Sequence, residues 1–349
     1  MTLDMQKLQP LLGTMVNELG AAANAVLVLL GDRLGLYRAL ALRGPLDPAG
    51  LAREAGTHER YVREWLSAQA ASGLVEHDAA TGRFAMTPEQ AAVLADEDSP
   101  AFMAGGFQSV AAIFAGGPRL EEAFRSGGGV GWGEHCGCLF CGTERFFRPG
   151  YRAHLVPEWL PALDGVVERL TQGALVADVG CGHGVSTAIM AEAFPNSRFV
   201  GFDVHAPSIA TARAKAAGLG NLSFEVARAQ DFPGSGYGLV TMFDALHDTG
   251  DPVGAAAHAR RALAPGGALM LVEPMAGDRL ADNLHPVGRA YYAFSTSLCV
   301  PASLGQEVGA ALGAQAGEAR LREAVLAGGF GRFRRAAATP FNLVLEARA

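Results

Sequence analysis

Apolar residues at Leu8, Leu11, Leu12, Val16 and Leu19 recur every three or four positions and predict one face of an N-terminal helix. Residues 26–42 keep that period, and two prolines in residues 45–48 interrupt it. Residues 49–55 predict a short helix, Gly56-Thr57 a turn, and residues 58–72 a second helix with Thr57 as N-cap and Gly73 as its stop. Residues 74–76 and 83–86 then pair as a β-hairpin across residues 79–82. Further on the period changes. Short apolar runs at residues 174–177, 198–203, 222–227, 239–243 and 268–273 read as strands, the second ending in an acid. Two final runs, residues 333–337 and 341–347, supply the last strands.

The first of these runs enters Asp178-Val179-Gly180-Cys181-Gly182-His183-Gly184, and a helical stretch follows from Ser186. Strand, glycine-rich turn and helix in that order let the backbone approach a ligand closely, because no Cβ intervenes. Asp178 is placed to orient a ligand's polar groups. The second run ends in Asp203-Val204, about 20 residues on, the spacing at which a carboxylate reaches a ribose diol. The third leads to Gln230-Asp231-Phe232, read as an adenine-edge contact, and the fourth ends in Phe243-Asp244. Leu263-Ala264-Pro265-Gly266-Gly267 then predicts a turn before the fifth strand.

This ordered set, over roughly residues 170–349, resembles the class I S-adenosylmethionine-dependent methyltransferases. The resemblance implies an α/β fold, a Rossmann-like seven-stranded sheet whose seventh strand runs antiparallel. It implies S-adenosylmethionine as cofactor and S-adenosylhomocysteine as product. It places Asp178, Gly180, Gly182, Gly184, Asp203, Val204, Gln230, Asp231, Phe243 and Asp244 around that cofactor. A mostly helical winged-helix domain ahead of such a sheet is similar to small-molecule O-methyltransferases that dimerise through the N-terminal domain. The expected organisation is a winged-helix dimerisation or lid domain at 1–100, a linker and active-site mouth at 101–165, and the cofactor domain at 166–349 with a substrate insertion at 275–320.

Composition narrows the partners. The chain has 349 residues, half of them apolar, and a net charge of -7. Residues 1–100 hold eight Lys and Arg against thirteen Asp and Glu. Glu59 and Glu64 offset Arg60 and Arg63 on the helix that would read DNA, so no nucleic acid is expected, because DNA binding depends on phosphate neutralisation. The alternative of a winged-helix regulator that senses S-adenosylmethionine is disfavoured by that balance. A protein that binds S-adenosylmethionine for non-methyl chemistry stays open, since cofactor contacts do not report the acceptor. No apolar run is read as long enough to span a membrane, and the start lacks a basic signal region, so no membrane and a cytoplasmic location are expected.

His135, Cys136, Cys138 and Cys141 crowd one stretch after a glycine-rich loop. Structural zinc sites use separated ligand pairs, so the expectation is no metal and a loop at the mouth of the site. His135, Tyr151, Tyr291, Tyr292 and Phe294 are the candidate substrate contacts, the last three from the insertion beyond the fifth strand. Phe146 and Phe147 read as packing residues. His247 lies just after the fourth strand in Leu246-His247-Asp248-Thr249-Gly250-Asp251. That segment resembles the LHDWSD motif of winged-helix O-methyltransferases, with Thr249-Gly250 in place of Trp-Ser. The resemblance makes His247 the general base for a protonated acceptor. Its other reading is a residue that orders the loop.

Overall fold

A computed structural model describes residues 3–349. Helix α1 (Met5–Arg33) is followed by α2 (Leu36–Arg43), α3 (Pro48–Glu54) and α4 (Glu59–Ala71). The hairpin β1 (Glu76–Asp78) and β2 (Arg83–Ala85) and helix α5 (Pro88–Leu94) complete this part. Residues 26–42 are thus two helices and not one. Gly35 takes a left-handed φ of 67° and starts α2 afresh. The cap of α4 also differs: His58, not Thr57, is the N-cap, and its Nδ1 accepts the Arg60 N–H. The hairpin lies slightly later than predicted, with Glu76 opposite Ala85.

This unit comprises Met1–Ala112 together with Cys141–Pro149. Its core gathers Val28, Tyr37, Leu40, Leu51, Val62, Trp65, Leu66 and Phe84. Gly31 allows α1 to meet Trp65 and Tyr37, whose rings lie about where a Cβ would stand. The buried Gln69 accepts from the Tyr37 hydroxyl and donates to Asn24 Oδ1 at 2.8 Å, so its burial is compensated.

One expectation is corrected here. The separate apolar stretches of the N-terminus join into a single 29-residue helix, and α1 is long and apolar enough to cross a membrane by length and composition. Its last turns nevertheless belong to the core just described, where Val28 and Leu29 are buried.

The second unit comprises Ile113–Phe140 and Gly150–Ala349. Both boundaries fall inside helices, α6 (Gly106–Ser126) and α7 (Gly137–His154), so residues 101–165 do not form a unit of their own. Then come α8 (Val166–Gln172), β3 (Leu175–Val179), α9 (Val185–Ala193), β4 (Arg198–Asp203), α10 (Ala206–Lys215) and β5 (Leu222–Val226). β6 (Tyr237–Phe243), α11 (Pro252–Ala262), β7 (Leu263–Pro274), α12 (Pro286–Phe294), α13 (Val300–Leu304), α14 (Gly317–Ala327), β8 (Arg332–Ala338) and β9 (Asn342–Arg348) follow.

The sheet order is β5-β4-β3-β6-β7-β9-β8, seven strands, with β9 antiparallel to both neighbours. β3, β6 and β7 are almost wholly buried, as central strands covered on both faces must be. The Leu263–Gly267 turn is absorbed into β7. Tyr237 pairs with Leu263 and Leu239 with Ala268, so the intervening residues bulge, and Gly266 supplies a φ of 69° there. The chain builds β3, β4 and β5 outward and then returns to β6. The carboxyl ends of β3 and β6 therefore flank a topological switch point, where open α/β sheets bind ligands.

Candidate active site

The glycine loop leaves β3 through three left-handed residues, Gly180 (76°), Gly182 (53°) and Gly184 (76°). Their neighbours differ. A Cβ on Gly180 would stand 2.6 Å from Ala245 Cβ, and one on Gly184 would strike the Phe224 ring. Gly182 faces open space, with nothing within 4 Å. The first and last glycines permit the fold, and the middle one leaves room for a ligand.

Asp178 turns inward. Its Oδ2 accepts from Ser186 and Thr187, both at 2.7 Å, and its Oδ1 accepts from Thr241 at 2.9 Å. It is fully buried and braces the loop against α9 and β6, a different task from the ligand orientation expected of it. Asp203 Oδ2 accepts the Gly182 N–H at 2.9 Å and Oδ1 the His205 N–H at 2.8 Å. Those bonds fix the carboxylate and leave each oxygen a further lone pair. Burial raises the pKa of both acids, and these hydrogen bonds oppose the rise. Val204, beside Asp203, is apolar and 56% exposed, a flat seat for a ring.

Gln230 donates to the Asp251 carbonyl at 3.3 Å, and Asp231 is held by Arg228 at 2.7 Å on the surface. Phe232 is buried in the core. The predicted adenine-edge group is thus largely engaged with its own chain.

Asp244 follows β6 with a φ of 49°, uncommon for a residue other than glycine. Its Oδ2 accepts from the Tyr151 hydroxyl at 3.2 Å, while the enclosed Oδ1 has no hydrogen-bond partner. Burial, reinforced by Glu273, pushes its pKa up to about 8. The Tyr151 ring lies 5.3 Å from that of Phe243, which is buried.

His247 sits in a 3-10 turn, Leu246–Asp248, and is 3% exposed. Glu273, at the end of β7, accepts the Leu246 N–H at 3.1 Å through Oε1 and binds His247 Nδ1 through Oε2. On the other side, Nε2 lies 3.1 Å from Asp248 Oδ1, which has no aligned hydrogen bond. Burial opposes charge on the ring, but Asp248, Glu273 and Cys299 together hold its pKa well above the usual histidine value. The two ring nitrogens thus face two carboxyl groups, which favour a proton on the ring.

The insertion after β7 clamps this turn. Ser303 Oγ donates to the Thr249 carbonyl, Gln306 Nε2 to the Asp248 carbonyl, and Gln306 Oε1 accepts the Gly250 N–H. Tyr291 is buried, and its hydroxyl donates to the Phe341 carbonyl at 2.9 Å, so its polar end is engaged. Tyr292 and Phe294 are half-buried.

His135 lines a small recess with Ile113, Leu120, Val130 and Ser297, and its Nε2 is enclosed without a partner. Burial lowers its pKa, aided by Arg119. The cysteines do not share a loop. Cys136 and Cys138 form a disulfide, and Cys138 and the exposed Cys141 lie in the first turns of α7. The residues missed from sequence are Glu273, which read as an ordinary strand residue, and the trio Trp132, Phe140 and His205. Phe140 stacks on His205 at 4.1 Å, and Trp132 meets Phe140 at 5.7 Å. The Phe140 and Trp132 rings stood in the sequence without a spacing that linked them to Asp203.

A glycine cradle at the switch point, tied to a carboxylate at the next strand end, is the ligand site of a Rossmann-like α/β fold. Residues 170–313 match the methyltransferase domain family, and residues 22–96 match the Rv2258c-like winged HTH domain. The protein is a methyltransferase with an N-terminal winged helix-turn-helix domain, and the cofactor of such a domain is S-adenosylmethionine. Human N-acetylserotonin methyltransferase, solved in complex with SAM, is 18% identical over 99% of this chain and 98% of its own, with a TM-score of 0.71. Mitomycin 7-O-methyltransferase MmcR is 21% identical over 99% and 100%, with a TM-score of 0.67. A Nostoc punctiforme protein, provisionally titled an O-methyltransferase, is 20% identical over 97% and 98%, with a TM-score of 0.74. At such identities the likeness is one of fold. No curated protein matches the sequence.

The cradle fits this cofactor. Gly182 leaves the space, Asp203 offers fixed lone pairs for a diol, Val204 offers an apolar face, and the orphaned Asp244 Oδ1 suits a cationic end.

Proposed function

We propose that the protein transfers a methyl group from S-adenosylmethionine to a hydroxyl oxygen of a small, uncharged organic molecule. The observation that carries this reading is the Glu273–His247–Asp248 array at the carboxyl edge of the sheet. The cofactor supplies an activated methyl on sulfur, with a neutral leaving group. The protein's task is to align the acceptor and to take its proton. Alignment alone supplies roughly 7–11 kcal/mol of such a barrier.

Glu273 fixes the ring of His247 and compensates its charge. The Nε2 edge and Asp248 Oδ1, 3.1 Å apart, act as one unit on the acceptor hydroxyl. The acceptor's proton passes to this pair, to Nε2 of a neutral ring or to the Asp248 carboxylate beside a protonated one, and the positive charge then on the ring favours the developing oxyanion. Among the described residues, no Arg or Lys pairs with Asp244, Asp248 or Glu273. An acidic pocket of this kind disfavours carboxylate and phosphate acceptors and suits phenols and alcohols.

The test is methyl transfer from labelled S-adenosylmethionine to panels of phenols, alcohols, carboxylates, amines and thiols. Phenol or alcohol ethers are the expected products. Turnover confined to carboxylates or thiols would overturn the acceptor assignment. In His247→Ala, turnover should fall by about 10²–10⁴ while the cofactor still binds. Equal turnover would leave His247 as a residue that only orders its loop.

A homodimer through the N-terminal unit belongs to the same proposal. Leu11, Leu12, Met15, Val16 and Leu19 are each more than half exposed on α1, a face that a second copy would cover. Light scattering should give twice the chain mass, and a monomer at micromolar concentration would refute it.

A further inference from the structure

Beyond methyl transfer, the His247 turn faces a buried thiol. Cys299 ends a π-helical stretch, Ser295–Cys299, and is 7% exposed. One ligand atom each from His247, Asp248 and Cys299 lie within 4.8 Å of one another. Nitrogen, carboxylate oxygen and sulfur at that spacing are a zinc-type donor set. Two further observations bear on it. Asp248 Oδ1 is enclosed, and its partners are the other two candidate ligands, His247 Nε2 at 3.1 Å and the Cys299 thiol. Glu273 binds Nδ1 of His247, the carboxylate support that metal-bound histidines generally carry, and leaves Nε2 as the coordinating atom. Gly313 N–H also donates to the His247 carbonyl at 3.3 Å, and Gln306 to that of Asp248, so the donors are held by the backbone.

We propose that His247 Nε2, the Asp248 carboxylate and Cys299 Sγ form a three-ligand site for a borderline-soft divalent cation such as zinc, with a fourth position open. The coordinating forms are the thiolate, the neutral imidazole and the carboxylate, so any proton on these groups leaves to solvent as the cation binds. The metal then occupies the edge that takes the acceptor's proton. Its occupation switches methyl transfer off, and a chelator restores it. The cation site is separate from the Cys136, Cys138 and Cys141 cluster.

The test uses the purified full-length chain after chelator treatment. Zinc titrated by calorimetry should bind at one equivalent with Cys136, Cys138 and Cys141 all replaced by serine. Cobalt(II) in place of zinc should give a thiolate charge-transfer band. Cys299→Ser should abolish that band and weaken zinc binding by about 10–100-fold or more, and Glu273→Gln should weaken it by about 10–100-fold. Thermal melting and S-adenosylmethionine binding confirm that each variant is folded. Zinc bound as tightly by folded Cys299→Ser, binding lost with the three other cysteines, or no binding at micromolar zinc would each overturn the site. These readouts need no acceptor, so they stand apart from the proposed methyl transfer. If zinc binds through Cys299 and turnover is unaffected, the inhibitory role fails.

Discussion

The helical unit and the carboxyl edge of the sheet treat charge in opposite ways. In the helical unit, arginines meet acids. Arg145 holds Asp32 through two hydrogen bonds at 2.6 and 2.8 Å and Glu97 at 2.7 Å, and Arg148 takes the other Glu97 oxygen. On α4, Arg60 pairs with Glu64 and Arg63 with Glu59. At the sheet's carboxyl edge, Asp203, Asp244, Asp248 and Glu273 face histidines: His205 and His183 act on Asp203, and His247 lies between Asp248 and Glu273. A region whose charges are satisfied internally is built for stability. A buried acid with an unused oxygen, such as Asp244, carries a cost that a bound cation lowers. S-adenosylmethionine, with its sulfonium and ammonium groups, is such a ligand.

Breaking the paired side should have the largest effect on stability. Arg145 and Asp32 are 17% and 8% exposed, so Arg145→Met strands a buried carboxylate. The expected loss is about 3–5 kcal/mol in urea unfolding. A change below roughly 1 kcal/mol would show that water already screens the pair.

Asp203→Ala tests the unpaired side through its ligand. Hydrogen bonds to a charged group are worth about 1.5–3 kcal/mol each. The variant also releases the Gly182 N–H. Calorimetry should show S-adenosylmethionine binding weakened by about tenfold or more. Unchanged affinity would remove Asp203 from the cofactor site.

The contrast explains what the sequence made legible. The sheet was readable because β3, β6 and β7 are continuous apolar runs, each ending in a residue of different chemistry. Asp203 stood out because it ends β4, and His247 because it follows β6 closely in a short polar segment. The bracing role of Asp178 was not legible because its three hydroxyl partners come from α9 and β6, and Ser186, Thr187 and Thr241 carry no mark of that contact. Glu273 was missed for the same reason, since its pairing with His247 spans 26 residues. The long form of α1 escaped notice because its gentle apolar period was read in two pieces. Local pattern specifies elements, whereas side chains that meet across elements depend on register.

Asp244→Asn sharpens the comparison through pH. The native pKa of Asp244 is raised to about 8, while the unfolded value stays near 3.8. Between those values the native state binds more protons than the unfolded state. Stability therefore falls as pH rises through that window. The asparagine variant removes this dependence. Its cofactor-free melting temperature should exceed that of wild type at pH 8 and approach it at pH 4. Its affinity for S-adenosylmethionine should fall at the same time. A variant that melts lower at pH 8 would show that the Tyr151 contact, and not the charge, dominates.

The smallest effect belongs to the exposed pairs of α4. Arg60 and Glu64 are 61% and 68% exposed, and Arg63 sits equally open beside Glu59. Such pairs contribute about 0.3–0.5 kcal/mol, so Glu64→Gln should scarcely move the unfolding midpoint. The informative readout is DNA. The acids hold both arginines along the helix, where phosphates would otherwise draw them. With Glu59 and Glu64 both changed to Gln, the unit loses two negative charges and its net charge becomes more positive. Were the helix a DNA reader kept in check by its own acids, the double variant would bind duplex DNA with a steep salt dependence. The expected outcome is no salt-dependent binding in either protein. Strong binding by the double variant, and weak but measurable binding by wild type, would instead recast the helical unit as a nucleic-acid module.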